Sequence, residues 1–265
     1  WETAVWSQGW PYNEVVAAQN GNNSGVPTGC SATAMAIKFR FHEWPVTGNG
    51  TVSYDDVWGS VRFSHSVNFS AHTYNWANMP LPNLTQSNLD VATLMYHCGV
   101  AIHMNYEVGS SAGWPAETDL EPVFRYRATE YIYTPEEGGA AHVEPLKRSL
   151  FGGLVILVAS DSHTMVAAGY RQELGVEEFW INHGHGGPSN GWQTLAFADV
   201  HNSWPYSSPT HYVYADAGWS GTELGWIQKP FNTFQEGASS VPEWGHLWLK
   251  AGSYTAVPAT LTRPM

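Results

Sequence analysis

Apolar and polar positions along this chain change period from one half to the other. In Cys30–His42 (CSATAMAIKFRFH), Ala32, Met35, Ala36 and Phe39 recur at helical spacing, which predicts a helix ended before Pro45. Residues 87–98 (SNLDVATLMYHC) read as a second helix, with Ser87 as its cap and Gly99 as its stop. Residues 116–127 are a candidate third helix and 142–150 a short fourth. From there the pattern becomes that of strands, at 154–159, 163–170 and 177–182, with two more at 211–214 and 246–250. Residues 17–29 (AAQNGNNSGVPTG) and the Gly-rich 45–60 read as loops. Helices followed by strands predict an α+β protein, with a helical lobe over about 1–115 and an antiparallel sheet lobe over 116–265.

Composition narrows the functions available. The net charge is -12, and 11 Lys and Arg are spread without a basic stripe, which argues against nucleic-acid binding. The longest apolar run, Leu154 to Ala159, is of strand length and far short of the ~20 residues that span a membrane. A start at Trp1 without a basic-then-apolar leader fits either a cytosolic protein or a mature exported one. Only 13% of residues are charged and 14 are Trp, a balance that favours export. Two cysteines make no disulfide framework.

Those two cysteines differ in context. Cys98 lies in an apolar helical stretch and reads as core. Cys30 follows a Thr-Gly turn and opens a helix, where unpaired N–H groups and the helix dipole stabilise a thiolate and can hold an oxyanion. A thiolate nucleophile needs a base, and the base an orienting group. His163 opens a strand after an Asp-Ser turn, and Asn182 ends the next strand. If the two strands pair as a hairpin, both residues lie at the same end of the sheet. Structural roles for His163 and Asn182 are the competing reading on spacing alone.

Several segments, in order, resemble the streptopain family of papain-like cysteine peptidases. They are Trp6–Asn13 (WSQGWPYN), Thr28–Ala36 (TGCSATAMA) with Phe41–Pro45 (FHEWP), and Tyr74–Pro80 (YNWANMP). Leu94–Val100 (LMYHCGV), Met104–Tyr106, Gly109–Gly113 (GSSAG), His163–Gly169 and Asn182–Gly191 (NHGHGGPSNG) continue the series. The resemblance implies a two-lobed papain-like fold and an endopeptidase made as a precursor with an inhibitory pro-segment. It implies Cys30 as nucleophile, His163 as base and Asn182 as orienter, with Ser110, Ser111, Ala112 and Gly113 beside the cleft. Where the family usually has Asn-Trp-Gly-Trp-Gly-Gly, this chain has Asn182-His183-Gly184-His185-Gly186-Gly187, which makes the site more polar and titratable.

The expected protein is a secreted, monomeric cysteine endopeptidase that cleaves protein or peptide substrates through a Cys30 thioester. It requires no cofactor, and a pro-segment or protein inhibitor is its expected partner. Neither nucleic acid nor membrane is. The His163, His183 and His185 group is not expected to hold a metal, because a Gly-rich turn is a poor rigid platform. Gln8 and Gln19 are the candidates for a second oxyanion donor. Two rival readings remain: a non-catalytic binding relative, and a cysteine amidase acting on cell-wall peptides.

Overall fold

The computed structural model describes residues 2–58, 61–113, 122–132, 143–151, 153–160, 162–194, 199–205, 212–215, 218, 220, 232–235 and 246–249. Helices α1 (Glu14–Gln19), α2 (Cys30–His42) and α3 (Leu89–Ala101) and the strand pair β1 (Thr51–Trp58) and β2 (Val61–Asn68) precede two short strands, β3 (Asn105–Glu107) and β4 (Ser110–Ala112). Then come β5 (Tyr126–Ile132), α4 (Val143–Phe151), β6 (Ile156–Ser160), β7 (His163–Glu173), β8 (Val176–Asn182), β9 (Gly191–Gln193) and β10 (Asp199–Pro205). These last strands form a six-stranded sheet ordered β5-β10-β6-β7-β8-β9, with antiparallel pairing throughout. Strands β11 (Tyr212–Ala215) and β12 (His246–Leu249) pair in parallel. The result is an α+β architecture, as the pattern predicts.

Helix α2 matches its expected bounds and is the centre of the molecule. Every residue from Ser31 to Phe39 is buried. Its small residues, Ala32, Ala34 and Ala36, leave room for α3 on one side and β7 on the other. Phe39 closes the far end, its ring centroid 4.5 Å from that of Phe124 and 4.7 Å from that of Tyr126. The same cluster takes in Val155, Leu157, Val166 and Ala168 from one face of the sheet. On the other face, Leu146 and Leu150 of α4 cover Ile156, Val158, Ala167, Phe179 and Ile181. Strand β6 is therefore buried on both faces, which is why it reads as an unbroken apolar run rather than an alternation.

Three expectations need correcting. Residues 45–60 are not all loop, because Thr51–Trp58 pairs in full with Val61–Asn68. The inward positions of this hairpin carry Tyr54, Asp56 and His65, each with a polar partner, although His65 Nε2 is buried without one. Tyr54 donates to the Met104 carbonyl (2.6 Å), Asp56 accepts from the Tyr106 N–H (2.7 Å) and His65 Nδ1 meets the Tyr96 hydroxyl (3.1 Å). Polar residues inside and glycines around them hide the strand signal. The cap of α3 is Asn88, whose side chain accepts from the Val91 N–H at 3.0 Å, while Ser87 donates to Glu14 instead. Gly99 does not end α3: a Cβ there would sit 1.9 Å from the Tyr106 hydroxyl, so the glycine makes room for a ring. As for the third helix, residues 114–121 lie outside the described residues, residues 122–124 are helical, and from Tyr126 the chain is strand.

Candidate active site

Cys30 is the first residue of α2. The preceding Gly29 adopts φ 86 and ψ 145, and no side chain caps the helix. This leaves the first-turn N–H groups available to a ligand. Gly29 is required by space as well as by its dihedral angles: a Cβ would lie 2.8 Å from Met104 Cε and 3.1 Å from the Ser111 carbonyl. The turn is fixed from several sides. Thr28 N–H donates to the Gln8 carbonyl (3.0 Å), the Thr28 and Thr33 hydroxyls pair at 2.7 Å, and Ser111 Oγ donates to the Pro27 carbonyl (2.7 Å). The Ser110–Gly113 segment lies beside the turn before Cys30 through Ser111, with Ser110 and Ala112 exposed. Gln8 borders the same turn, whereas Gln19 lies at the end of α1 and lines a separate cavity of ≈ 310 Å³ with His72 and His97.

The sheet brings His163 to Cys30. Ser160 pairs with His163 at the β6–β7 turn, and the Ser31 and Thr164 hydroxyls meet at 2.9 Å, locking the start of α2 to the start of β7. Thr164 N–H donates to Cys30 Sγ at 3.5 Å, and the His163 imidazole interacts with the Cys30 thiol. Burial alone pushes the Cys30 thiol up, but the His163 hydrogen bond, the Thr164 N–H, the His163 charge and Ser31 together bring it down to about 7. For His163 the hydrogen bond to Cys30 raises the pKa above its usual value, against burial, with the Cys30 charge and the His183 carbonyl assisting. Each partner favours the charged form of the other, so the arrangement is that of a thiolate–imidazolium pair. Cys98, by contrast, is fully buried and its thiol is pushed well up by burial.

Asn182 differs from its expected place. It sits at the right end of the sheet, paired with Val166, but its side chain does not meet His163. Its Nδ2 donates to Thr3 Oγ1 and to the Ala4 carbonyl (both 2.9 Å), and its Oδ1 accepts from Gly184 N–H (3.0 Å). The group at His163 Nε2 is the main-chain carbonyl of His183, at 3.0 Å. The physical reason is register: Asn182 ends β8 with its side chain buried beneath the sheet end, and the next residue crosses the base. A main-chain carbonyl, the Thr164 N–H and the Thr3 contact leave no signature in a sequence.

The two histidines in place of tryptophans lie against the base. The ring centroids of His163 and His185 are 4.7 Å apart with planes at 24°, and those of His163 and His183 are 5.8 Å apart at 11°. Both neighbours have lowered pKa values, from burial first and the His163 charge second. His183 Nε2 is 2.6 Å from Gln193 Nε2, while His185 is exposed. Near-parallel rings direct their in-plane nitrogens alongside one another rather than toward a common point, and no group of described residues has the disposition of a metal site. Asp161 lies outside the described residues.

Residues 6–193 match the model of the peptidase C10 family. Among curated proteins the chain is 27% identical over 199 residues to the thiol protease/hemagglutinin PrtT of Porphyromonas gingivalis, covering 71% of this chain and 22% of that one. It is 31% identical over 124 residues to streptopain of Streptococcus pyogenes, covering 41% of this chain and 31% of that one. The chain therefore spans less than a third of the length of these relatives. Among solved structures it is similar to a prointerpain A fragment of Prevotella intermedia, with TM-score 0.65, 24% identity and coverage of 75% and 69%. It is also similar to the active interpain A cysteine protease of that organism, with TM-score 0.62, 24% identity and coverage of 74% and 90%. These likenesses show the papain-like fold.

Proposed function

Because the chain belongs to the peptidase C10 family, we propose that it is a secreted cysteine endopeptidase that hydrolyses peptide bonds through a thioester on Cys30. The observation that carries this reading is the placement of Cys30 at the uncapped N-terminus of α2, locked to the start of β7 at His163 and Thr164 by the Ser31–Thr164 hydroxyl pair and the Thr164 N–H to Cys30 Sγ contact. In the proposed reaction the thiolate attacks the peptide carbonyl, and the Cys30 N–H holds part of the oxyanion. The imidazolium of His163 protonates the leaving amine. His163 then removes a proton from water as it attacks the thioester, and the thiolate returns. Gln8, tied to the nucleophile turn, is the second oxyanion donor in this scheme. Gln19 faces another cavity and is not. The His183 carbonyl holds Nε2 so that the other ring nitrogen serves Cys30.

No described helix is long and apolar enough to cross a membrane, and the low charge content suits an exported protein. A thiol protease among the relatives, and a protease pro-form among the similar structures, support peptide substrates and an inhibitory pro-segment here.

The test is alkylation by iodoacetamide across pH 4 to 9, located by mass spectrometry, with casein hydrolysis followed on the same samples. Cys30 should react with an inflection at about 7, Cys98 should stay unmodified, and casein cleavage should fall in step. Cys30→Ser should lower hydrolysis by at least about a thousandfold. An ordinary thiol at Cys30 with no casein activity would favour a non-catalytic relative. Thiol-dependent cleavage of cell-wall amides alone would favour an amidase.

A further inference from the structure

The polar contacts around Asn182 lead away from the reacting atoms to the opposite end of the sequence. Residues 3–6 run between two loops and are bonded to both. On one side, Val5 N–H donates to the Leu81 carbonyl (2.7 Å) and Trp6 Nε1 to the Pro80 carbonyl (2.9 Å). On the other, Thr3 Oγ1 and the Ala4 carbonyl accept from Asn182, and the Trp6 carbonyl accepts from Gly186 N–H at 2.9 Å. Packing follows the same path. Gly187 adopts φ 106, and a Cβ on it would lie 2.7 Å from Val5 Cγ1. Ala4 and Trp6 are fully buried, Thr3 is 6% exposed and Asn182 1%.

The loop held in this way carries the His183 carbonyl, which seats the base. Its other hydrogen bonds include Gly184 N–H to Asn182 Oδ1 (3.0 Å), His183 N–H to Asn190 Oδ1 (3.0 Å), Asn190 N–H to the Gly187 carbonyl (2.9 Å) and the contact of His183 Nε2 with Gln193 Nε2 (2.6 Å), all local. Without residues 3–6 the loop keeps its internal turns but loses its hydrogen bonds to the N-terminal segment. A buried Asn182 would also lose both of its acceptors.

We infer that residues Thr3–Trp6 are a strap that positions the catalytic base: acting through Asn182 and Gly186, they hold the loop whose carbonyl at His183 seats His163. Thr3 and Asn182 are then positioning residues, without contact to Cys30 or to the substrate. Asn182 has the task of an orienting residue but performs it through a loop and a distant segment. The inference rests on the peptidase reading of Cys30 and His163. It also makes the position of the N-terminal segment a condition for activity, so that lifting residues 3–6 out of their groove switches the base off while both reacting side chains remain.

The decisive variant is Asn182→Asp, which keeps the acceptor for Gly184 N–H but sets a carboxylate against the Ala4 carbonyl. Thr3→Val is the milder companion, removing one acceptor without changing shape. Folding is checked by near-UV circular dichroism, and two readouts follow: kcat and KM on a peptide substrate, and the pH at which Cys30 alkylation is half-maximal. Asn182→Asp should lower kcat by about a hundredfold with KM changed by less than about twofold. The alkylation inflection should move up from about 7 toward the ordinary thiol value. Thr3→Val should move both in the same direction, kcat by about fivefold. A folded variant that keeps the parent's kcat and inflection overturns the strap, and if Asn182→Asp does not fold, Thr3→Val decides. Alkylation needs no substrate. A parent that hydrolyses nothing therefore refutes the peptidase reading, while the inflections still decide the strap.

Discussion

Cys30 and His163, the proposed nucleophile and base, are held by different physics. Cys30 stands on a helix that is buried from Ser31 to Phe39, inside a core built from α2, α3 and one face of the sheet. That mount is made of many dispersed apolar contacts, each worth little, so its failure is a failure of the whole fold. His163 stands on a strand end, and the group that aims it belongs to a Gly-rich loop fixed by a few hydrogen bonds from Asn182, Asn190 and Trp6. Loss of one of these few bonds is expected to move the base at a smaller cost in stability than loss of a core side chain. Stability is therefore concentrated on the nucleophile's side, and sensitivity of rate on the base's side.

The largest expected effect tests the first half of this contrast. Phe39→Ala removes a fully buried ring packed between Phe124 and Tyr126. It should cost about 3–5 kcal/mol of stability in denaturant unfolding. The Cys30 alkylation inflection of the folded fraction should stay where it is. A shifted inflection would mean that the two mounts are not separable.

A smaller free energy, spent on rate, tests the second half. Gly184 adopts φ 66, and a Cβ on it would lie 2.9 Å from Thr33 Cγ2 on α2. Gly184→Ala should push the loop off the helix and lower kcat by about a hundredfold, with a melting temperature close to the parent's. Adding Thr33→Ser removes the offending methyl but keeps the hydroxyl that pairs with Thr28, and should restore part of the loss. Absence of rescue would place the damage in the backbone conformation at residue 184 rather than in the contact with α2.

The smallest effect sharpens the role of the ring stack. His185 lies 4.7 Å from the His163 ring, and its pKa is lowered by partial desolvation and the His163 charge. An indole face attracts a cation more strongly than a neutral imidazole does. His185→Trp should therefore stabilise the imidazolium further. A base whose pKa is already raised stays charged to higher pH, so the alkaline limb of kcat/KM should move up by about half a unit. Movement downward would show that the native histidine contributes more than a passive ring face.

Much of this design is legible in the chain. Helix α2 starts at Cys30 in the sequence pattern and in the structure, because Thr-Gly before a run of small apolar residues is a local instruction. The β6–β7–β8 strands are legible for the same reason. The β1–β2 hairpin is not, since its inner face carries Tyr54, Asp56 and His65, whose suitability for burial depends on partners at 96, 104 and 106.

The site divides along the same line. The sequence by itself singled out the proposed reacting pair: a thiol at a helix start and an imidazole at a strand start are properties of side chains and of local backbone. The tertiary structure decided what holds the base. That task falls to the carbonyl of His183 and, through Asn182, to the strap inferred at residues 3–6, while the N–H of Thr164 reaches the Cys30 sulfur. Every residue carries a carbonyl and nearly every residue an N–H, so only the fold selects which of them meet the site. Contacts between residues 3 and 182 depend on where the sheet brings the chain, and no local pattern encodes that.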